Sequence, residues 1–462
     1  MNIAALLKNT ALVATGAVLA TTTTVMAQGE RSASPEFSKV FAVYQRIQAS
    51  YVEPVEDDVL IRGMIDGMLG ALDPHSAYLD GSDLERLNTM IDGNYSGLGL
   101  SVIMEDGAVK VISPFKGSPA DKMGIKAGDF ITHLDGDLIV GGELDDAVAR
   151  MRGPEGTSIQ LTIFRPGRDE PIEVAVTRGV IELEPVTYEL QAGNIGLITV
   201  NEFSADVGED VFNAWTKLQE EATGRVSGLV LDLRSNPGGS LDEAIKLSDL
   251  FLDQGAIVSQ RGRARGENFE FVADDLGYYV SRGLNRNEAG QFMGKIAGNV
   301  PMIVLIDAGS ASASEIVAGA LQDHRRALIM GDRSFGKGSV QSLLPLDRQG
   351  TAALKLTTAR YFTPNGKSVQ EGGIKPDITV PQLSDPDMVK RQKYLTRESD
   401  LRGHLVNELG IKDEEMENDQ VADPRFKLTS EELKQQGIED VQLHYAIETL
   451  RRTTKSSVAL RR

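Results

Sequence analysis

The chain of 462 residues contains no cysteine. That excludes thiolate catalysis, a lipid attached through sulfur, and any fold stapled by disulfides. Its five histidines, His75, His133, His324, His404 and His444, never fall in the His-Glu-x-x-His spacing of a zinc-protease helix, and no Gly-x-Ser-x-Gly elbow occurs. Positive charge is also scarce: 48 Lys and Arg stand against 67 Asp and Glu, a net charge of −19 with no basic cluster on any motif. Nucleic acid and anionic lipid are poor partners for such a surface, whereas peptides are not excluded. Long apolar runs are missing as well. The longest, Ala11 to Ala20, is cut by Thr21 to Thr24, well short of the roughly 20 residues needed to span a membrane.

What is present at that end reads as a secretory signal over residues 1–27. Lys8 precedes the apolar core, and Val25-Met-Ala27 supplies a small-residue cleavage site. The expected location is the periplasm or another exported compartment. Removal of Lys8 would leave a net charge of −20 on a chain long enough for two to four domains.

The most informative stretch runs from Met302 to Gln341. Met302-Ile-Val-Leu-Ile-Asp307 reads as a buried strand and Ala308-Gly-Ser-Ala-Ser-Ala-Ser314 as a turn. A helix from Glu315 to about Arg325, a strand Ala327 to Met330, and a loop with Gly336-Lys337-Gly338 follow. Hydroxyls therefore sit at a helix N-terminus. A serine nucleophile without histidine needs another base, and a lysine serves if burial lowers its pKa from about 10.4 by several units. A strand, a helix and a neighbouring strand return the chain to the side of the sheet where the helix began, so the serines and Lys337 are able to meet. Ser310, Ser312 and Ser314 are not distinguished by this argument. A Ser/Ala turn is also an ordinary N-cap.

A phosphate loop competes for the same residues, since Gly331-Asp-Arg-Ser-Phe-Gly-Lys337 satisfies G-x-x-x-x-G-K. Gly338 stands where a magnesium-binding Ser or Thr is required. The residues beyond, Val340 to Leu346 and Leu354 to Phe362, read as strands instead of a long helix.

Ser310-Ala-Ser-Ala-Ser-Glu315 and Gly336-Lys-Gly-Ser-Val-Gln341 resemble the active site of the carboxyl-terminal processing (tail-specific) serine proteases. Lys337 follows Ser312 by 25 residues and Gln341 follows Lys337 by four, as in that family. The resemblance implies that Ser312 is the nucleophile, Lys337 the general base and Gln341 the group that orients the lysine. It implies no metal, nucleotide or other cofactor. Leu231-Asp-Leu-Arg-Ser-Asn-Pro-Gly-Gly239 resembles another run of these proteases and implies an oxyanion hole from the amide of Gly238 or Gly239 together with that of Ala313. Taken alone, Pro-Gly-Gly is a tight strand-to-helix turn. Asp323 stands where some members carry a functionally important acid, although charge on an exposed helix end explains it without function.

Between Asn94 and Arg178 short strands alternate with glycine turns. Tyr95-Ser-Gly-Leu-Gly-Leu100, Gly117-Ser-Pro-Ala120, Gly124-Ile-Lys-Ala-Gly-Asp129 and Glu143 to Arg150 together resemble a PDZ domain. The turn amides around Gly97, Leu98 and Gly99 are then expected to hold a C-terminal carboxylate, with the peptide backbone adding to the next strand. Leu98, Leu100, Val148 and Met151 would line the side-chain pocket and select apolar tails.

The expected organisation is a signal (1–27), a helical N-terminal region (28–92), a PDZ domain (93–180), a protease core (181–382) and a helical C-terminal region with a disordered tail (383–462). Strand and helix alternate through the core, which predicts a mainly parallel sheet with helices packed on it. Family resemblance adds a crotonase-like α/β core, subunit pairing through the N-terminal helices into a dimer or larger homo-oligomer, and gating by the PDZ domain. Asp73-Pro-His-Ser76 resembles a run in the N-terminal region of that family, and His75, on a proline turn with no nearby nucleophile, reads as structural. Residues 262–292 are expected to form a ribbon or a cover. The C-terminal stripe Leu443, Ala446, Ile447 and Leu450 either contacts a second copy or caps its own domain. The function expected is an exported endopeptidase that captures proteins by apolar C-terminal tails, with or without an adaptor. A non-catalytic PDZ scaffold is the alternative class.

Overall fold

The computed structural model describes residues 35–81, 83–84, 94–105, 108–114, 117–126, 128–139, 144–168, 170–182, 185–275, 296, 298, 300–348, 350–381, 397–408 and 430–459. The proposed signal, most of 276–299 and the terminal tail lie outside them. The chain divides into two compact units, Met1–Leu69 and Gly70–Arg462.

In the first unit, helix Pro35–Ser50 is followed by helix Asp57–Gly70. The side chains of Tyr44 and Gln48 both donate to Asp57 Oδ1, at 2.7 and 2.5 Å, which ties the start of the second helix to the first. Phe37 and Phe41 remain exposed.

The second unit opens with a correction. Residues Ala77–Asp80, expected within the helical N-terminal region, form strand β1, which pairs with a strand of the protease core far along the chain. The PDZ domain follows. Strands β2 (Asn94–Gly97) and, at its end, β9 (Gly179–Glu182) pair antiparallel and close the insert. Between them β3 (Leu100–Glu105), β4 (Ala108–Pro114), β5 (Phe130–Leu134), β7 (Ser158–Phe164) and β8 (Ile172–Thr177) build one sheet in that order, with β6 (Asp137–Leu138) on β5. Strand β3 is an edge of this sheet, so its outer side is open to an added strand.

In the core, β10 (Val186–Gln191), β11 (Ile195–Val200), β12 (Gly228–Asp232), β15 (Met302–Ile306), β16 (Leu328–Gly331) and β19 (Ile378–Thr379) form a six-stranded sheet in that order. Only the β10–β11 pairing is antiparallel. Side chains of β15 alternate between two cores. Met302, Val304 and Ile306 pack with helices Val207–Glu221, Leu241–Phe251 and Ala313–Asp323, whereas Ile303 and Leu305 pack on the other face with Val441, Ala446 and Leu450 of helix Val441–Ala459. Burial on both faces is why this strand reads as an unbroken apolar run. It also settles the C-terminal stripe, which covers its own sheet.

The expectation of a mainly parallel sheet describes only part of the core. A second, antiparallel sheet runs β1, β18 (Ala352–Phe362), β13 (Gly255–Gly262), β14 (Phe269–Ala273), with β17 (Ser339–Pro345) also on β18. Consecutive strands β13 and β14, and likewise β17 and β18, are joined by short connections without a crossover helix, and such neighbours pair antiparallel. Of residues 262–292, expected to form a ribbon or a cover, 262–275 include the turn and second strand of the β13–β14 hairpin, and 276–292 lie outside the described residues.

Candidate active site

Parallel strands β12, β15 and β16 end on one side of the sheet, and the loops leaving those ends carry Gly238 and Gly239, Ser312, and Lys337 respectively. Open α/β sheets place their reactive groups at this edge because helix N-termini converge there.

The three serines of the turn differ in their partners. Ser310 Oγ is fully buried, donating to Leu233 O at 2.8 Å and accepting from the Asp307 amide at 3.0 Å, and Ser314 Oγ is buried and donates to Asn236 O at 3.0 Å. Both hydroxyls are structural. Ser312 is partly exposed, sits at the N-cap of helix Ala313–Asp323 and adopts φ 54° and ψ −109°. A non-glycine residue with positive φ is strained and is held only where the surroundings dictate it.

Those surroundings centre on Glu315. Its fully buried carboxylate accepts from the amides of Ser312 (2.8 Å), Lys337 (3.0 Å) and Gly336 (2.7 Å), and from Ser334 Oγ (2.6 Å). Burial pushes its pKa up to about 7, against the pull of these four hydrogen bonds. Tyr361 Oη is a second bridge, donating toward the carbonyls of Ser312 (3.2 Å) and Lys337. Sequence reasoning overlooked both residues. The capping-box spacing of Ser312 and Glu315 was the available signal for the first, and nothing local pointed to the second.

The glycines flanking Lys337 are there because the Gln370–Glu371 backbone presses on them. A Cβ on Gly336 would lie 2.5 Å from Glu371 O, and one on Gly338 2.5 Å from the Gln370 amide nitrogen. The lysine itself is largely buried, and among the described residues its amine has no hydrogen bond or ion pair. Desolvation is the main cause lowering its pKa, with Lys355 adding to it and Glu398, Glu315 and Asp73 opposing. No hydrogen bond joins Ser312 Oγ to Lys337 Nζ among the described residues.

Among the described residues no hydrogen bond joins Gln341 to Lys337; its side-chain nitrogen donates to Ser339 Oγ at 3.0 Å and Thr357 Oγ1 at 3.1 Å. Gly238 is pressed against the serine, since a Cβ there would lie 2.8 Å from Ser312 Cβ and 3.0 Å from the Ala313 nitrogen. Its own amide, however, is occupied by Asn236 Oδ1 at 2.9 Å. The amides of Gly239 and Ala313 carry no protein acceptor among the described residues. Asp323 lies at the far end of the helix from Ser312, roughly 15 Å along its axis, where it accepts from the Asn365 amide at 2.9 Å. It anchors a turn and stands apart from the site. His75 contacts the buried Glu398 at 2.8 Å behind the lysine loop. The phosphate-loop reading fails in three dimensions, because Gly338 leads into strand β17 and presents no helix N-terminus to a phosphate.

In the PDZ domain, Leu98 and Met151 are buried and belong to its core cluster. Leu100 at the start of the edge strand and Val148 on helix Leu144–Met151 are partly exposed. Gly97 lies in β2, and Gly99 has φ 73° with Ser118 packed against it.

Comparison with known proteins bears on this geometry. The model of peptidase family S41 matches residues 194–380, that of the PDZ domain residues 96–176, and that of the activating protease CtpB N-terminal domain residues 8–82. The chain is 42% identical to the carboxy-terminal-processing protease of Bartonella bacilliformis, over 84% of this chain and 86% of that protein. It is 34% identical to the carboxy-terminal processing protease CtpA of Bacillus subtilis, over 80% of this chain and 75% of that protein. Among solved structures, the photosystem II D1 C-terminal processing protease is similar at 25% identity and a TM-score of 0.48, covering 79% of this chain and 97% of that one.

Proposed function

Because this chain belongs to peptidase family S41, as a serine-type carboxy-terminal processing protease with a PDZ domain, we propose that it cleaves peptide bonds with Ser312 as nucleophile and Lys337 as general base. The observation that carries this assignment is the contrast among the three serines. Ser310 and Ser314 are buried and donate their hydroxyls to backbone carbonyls, whereas Ser312 is partly exposed and, among the described residues, its hydroxyl donates to no carbonyl, beside the loop of a desolvated lysine. A neutral Lys337 accepts the Ser312 proton as Oγ attacks the carbonyl carbon, then returns it to the leaving amine. Water repeats the cycle to release the acyl-enzyme. The amides of Gly239 and Ala313 supply the oxyanion donors, Gly238 serving as the contact that lets the backbone approach Ser312.

The missing Ser312–Lys337 hydrogen bond fits a resting arrangement in which the lysine side chain has yet to turn toward the serine. An apolar protein tail bound along β3, against Leu100 and Val148, is the natural trigger, adding a strand to the open edge. Composition at residues 1–27 supports export, and the alternation of strands and helices from β11 to β16 supports a crotonase-like reading of the core.

The test is cleavage of an unfolded substrate with an apolar C-terminus by wild type, Ser312→Ala and Lys337→Ala, with and without a competing tail peptide. Loss of cleavage in both variants, and adduct formation on Ser312 by a mechanism-based phosphonate, are expected. Equal cleavage by all three proteins rejects the dyad. Tail binding without cleavage by wild type supports a scaffold.

A further inference from the structure

Behind the lysine loop lies a buried network that peptide-bond chemistry at Ser312 does not by itself require. Glu398, with no exposed surface, takes His75 Nε2 at 2.8 and 3.1 Å and Gln370 Nε2 at 2.9 Å. Gln370 Oε1 in turn accepts from the Gly338 amide at 3.1 Å, and the Glu398 amide donates to Phe335 O at 3.2 Å. Glu398 therefore grips the segment on both sides of Lys337. A second arm leaves the same turn. Asp73 Oδ1 accepts from the amides of His75 and Ser76 and from Thr357 Oγ1, and Thr357 Oγ1 accepts from Gln341.

Removing a carboxylate from water is costly unless its partners compensate, and here the compensating histidine comes from 323 residues away in the chain. An anchor for the 397–408 segment alone would be met by apolar packing. A network that ends on the Gly338 amide instead fixes the one loop whose placement decides where the amine can reach. We propose that His75 and Glu398 are positioning residues that hold the Lys337 loop in register with Ser312, acting through Gln370 and the Gly338 amide. The proposal rests on Lys337 being the base.

The charged groups facing Lys337 come from several elements: Glu398, Glu315 and Asp73 favour its ammonium form, while Lys355 on β18 disfavours it. Neutralising Glu398 therefore moves the lysine pKa downward through charge alone, so the positioning role is read from kcat against KM and from rescue by His75→Gln.

The experiment measures kcat, KM, the pH profile of kcat and thermal unfolding for full-length wild type, Lys337→Ala, His75→Ala, His75→Gln and the near-isosteric Glu398→Gln, on the same apolar-tailed substrate. His75→Ala is expected to lower kcat by about 10- to 100-fold with KM within about twofold, and His75→Gln, which retains an N–H donor, to restore part of it. Glu398→Gln is expected to shift the acidic limb of the profile to lower pH. If the folded His75 and Glu398 variants keep the wild-type kcat and limb while Lys337→Ala is inactive, the positioning role is overturned and the dyad stands. If Lys337→Ala cleaves like wild type, the dyad fails and the positioning role with it.

Discussion

The backbone amides of Ser312 and Lys337 donate to the same atom, Oε2 of Glu315, at 2.8 and 3.0 Å. One carboxylate therefore fixes the distance between the two loops that carry the reactive side chains, although those side chains are not bonded to each other. The site is organised through its backbone.

Exchange of Ser312 for Ala is expected to abolish cleavage at a stability cost of at most about 1 kcal/mol, that of a partly exposed N-cap hydroxyl. Ser310→Ala should behave the opposite way. It strips a partner from the Asp307 amide and from Leu233 O, for a cost of about 1–3 kcal/mol in thermal or denaturant unfolding. Indistinguishable melting curves for the two variants would contradict this assignment.

Lys337→Met is expected to abolish cleavage and raise stability by roughly 1 kcal/mol, because an amine lacking a partner is replaced by apolar atoms of similar volume. The sign follows from its lowered pKa. The folded state binds the proton less well than the unfolded chain, so the penalty is full below the folded pKa and vanishes as pH rises through the unfolded value of about 10.4. Unfolding at a series of pH values should show the gain of the variant shrinking toward alkaline pH.

Glu315→Gln leaves a single acceptor oxygen where the carboxylate had two, and the freed amides release both loops. We expect kcat to fall by about 100-fold or more. The pKa of Glu315 near 7 lies above its unfolded value, so the folded state binds the extra proton. Stability from this group is then present below about pH 4.3 and is lost as pH rises through 7, by about 3 kcal/mol. That slope should be absent in the variant, as read from urea midpoints between pH 4 and 8.

Gly238→Ala would set a methyl group 2.7 Å from Ala311 O and 2.8 Å from Ser312 Cβ, at a φ of 99°. Displacement of the serine by even 1 Å should cost cleavage about 100-fold, while binding of an apolar tail peptide to the PDZ domain is unchanged. Wild-type turnover would show that the close approach is incidental.

Much of this architecture was legible one-dimensionally. Pattern alone placed β15, the helix after it and β16 within a few residues, since buried strands and amphipathic helices are written in local spacing. The PDZ strands declared themselves by their glycine turns. The second sheet was not legible, because β1 and β18 meet across more than half the chain and neither carries a mark of its partner. Nor did the pattern show which of the four apolar PDZ residues stay partly exposed: Leu100 and Val148 do, whereas Leu98 and Met151 pack into the PDZ core.

The sequence by itself determined which chemistries were open to this protein. The absence of cysteine and of a His-Glu-x-x-His pair excluded thiolate catalysis and that zinc site, and the resemblance of Ser310 to Glu315 and Gly336 to Gln341 to the tail-specific proteases implied the Ser312 hydroxyl and the Lys337 amine. Only the tertiary structure decided that Ser310 and Ser314 are buried against backbone carbonyls while Ser312 stays partly exposed, that Gly238 has already given its amide to Asn236, and that Glu315, Tyr361 and the His75–Glu398 pair surround the lysine loop. Those choices depend on where distant segments cross, and burial there changes both the partners a polar atom can find and the charge it can hold.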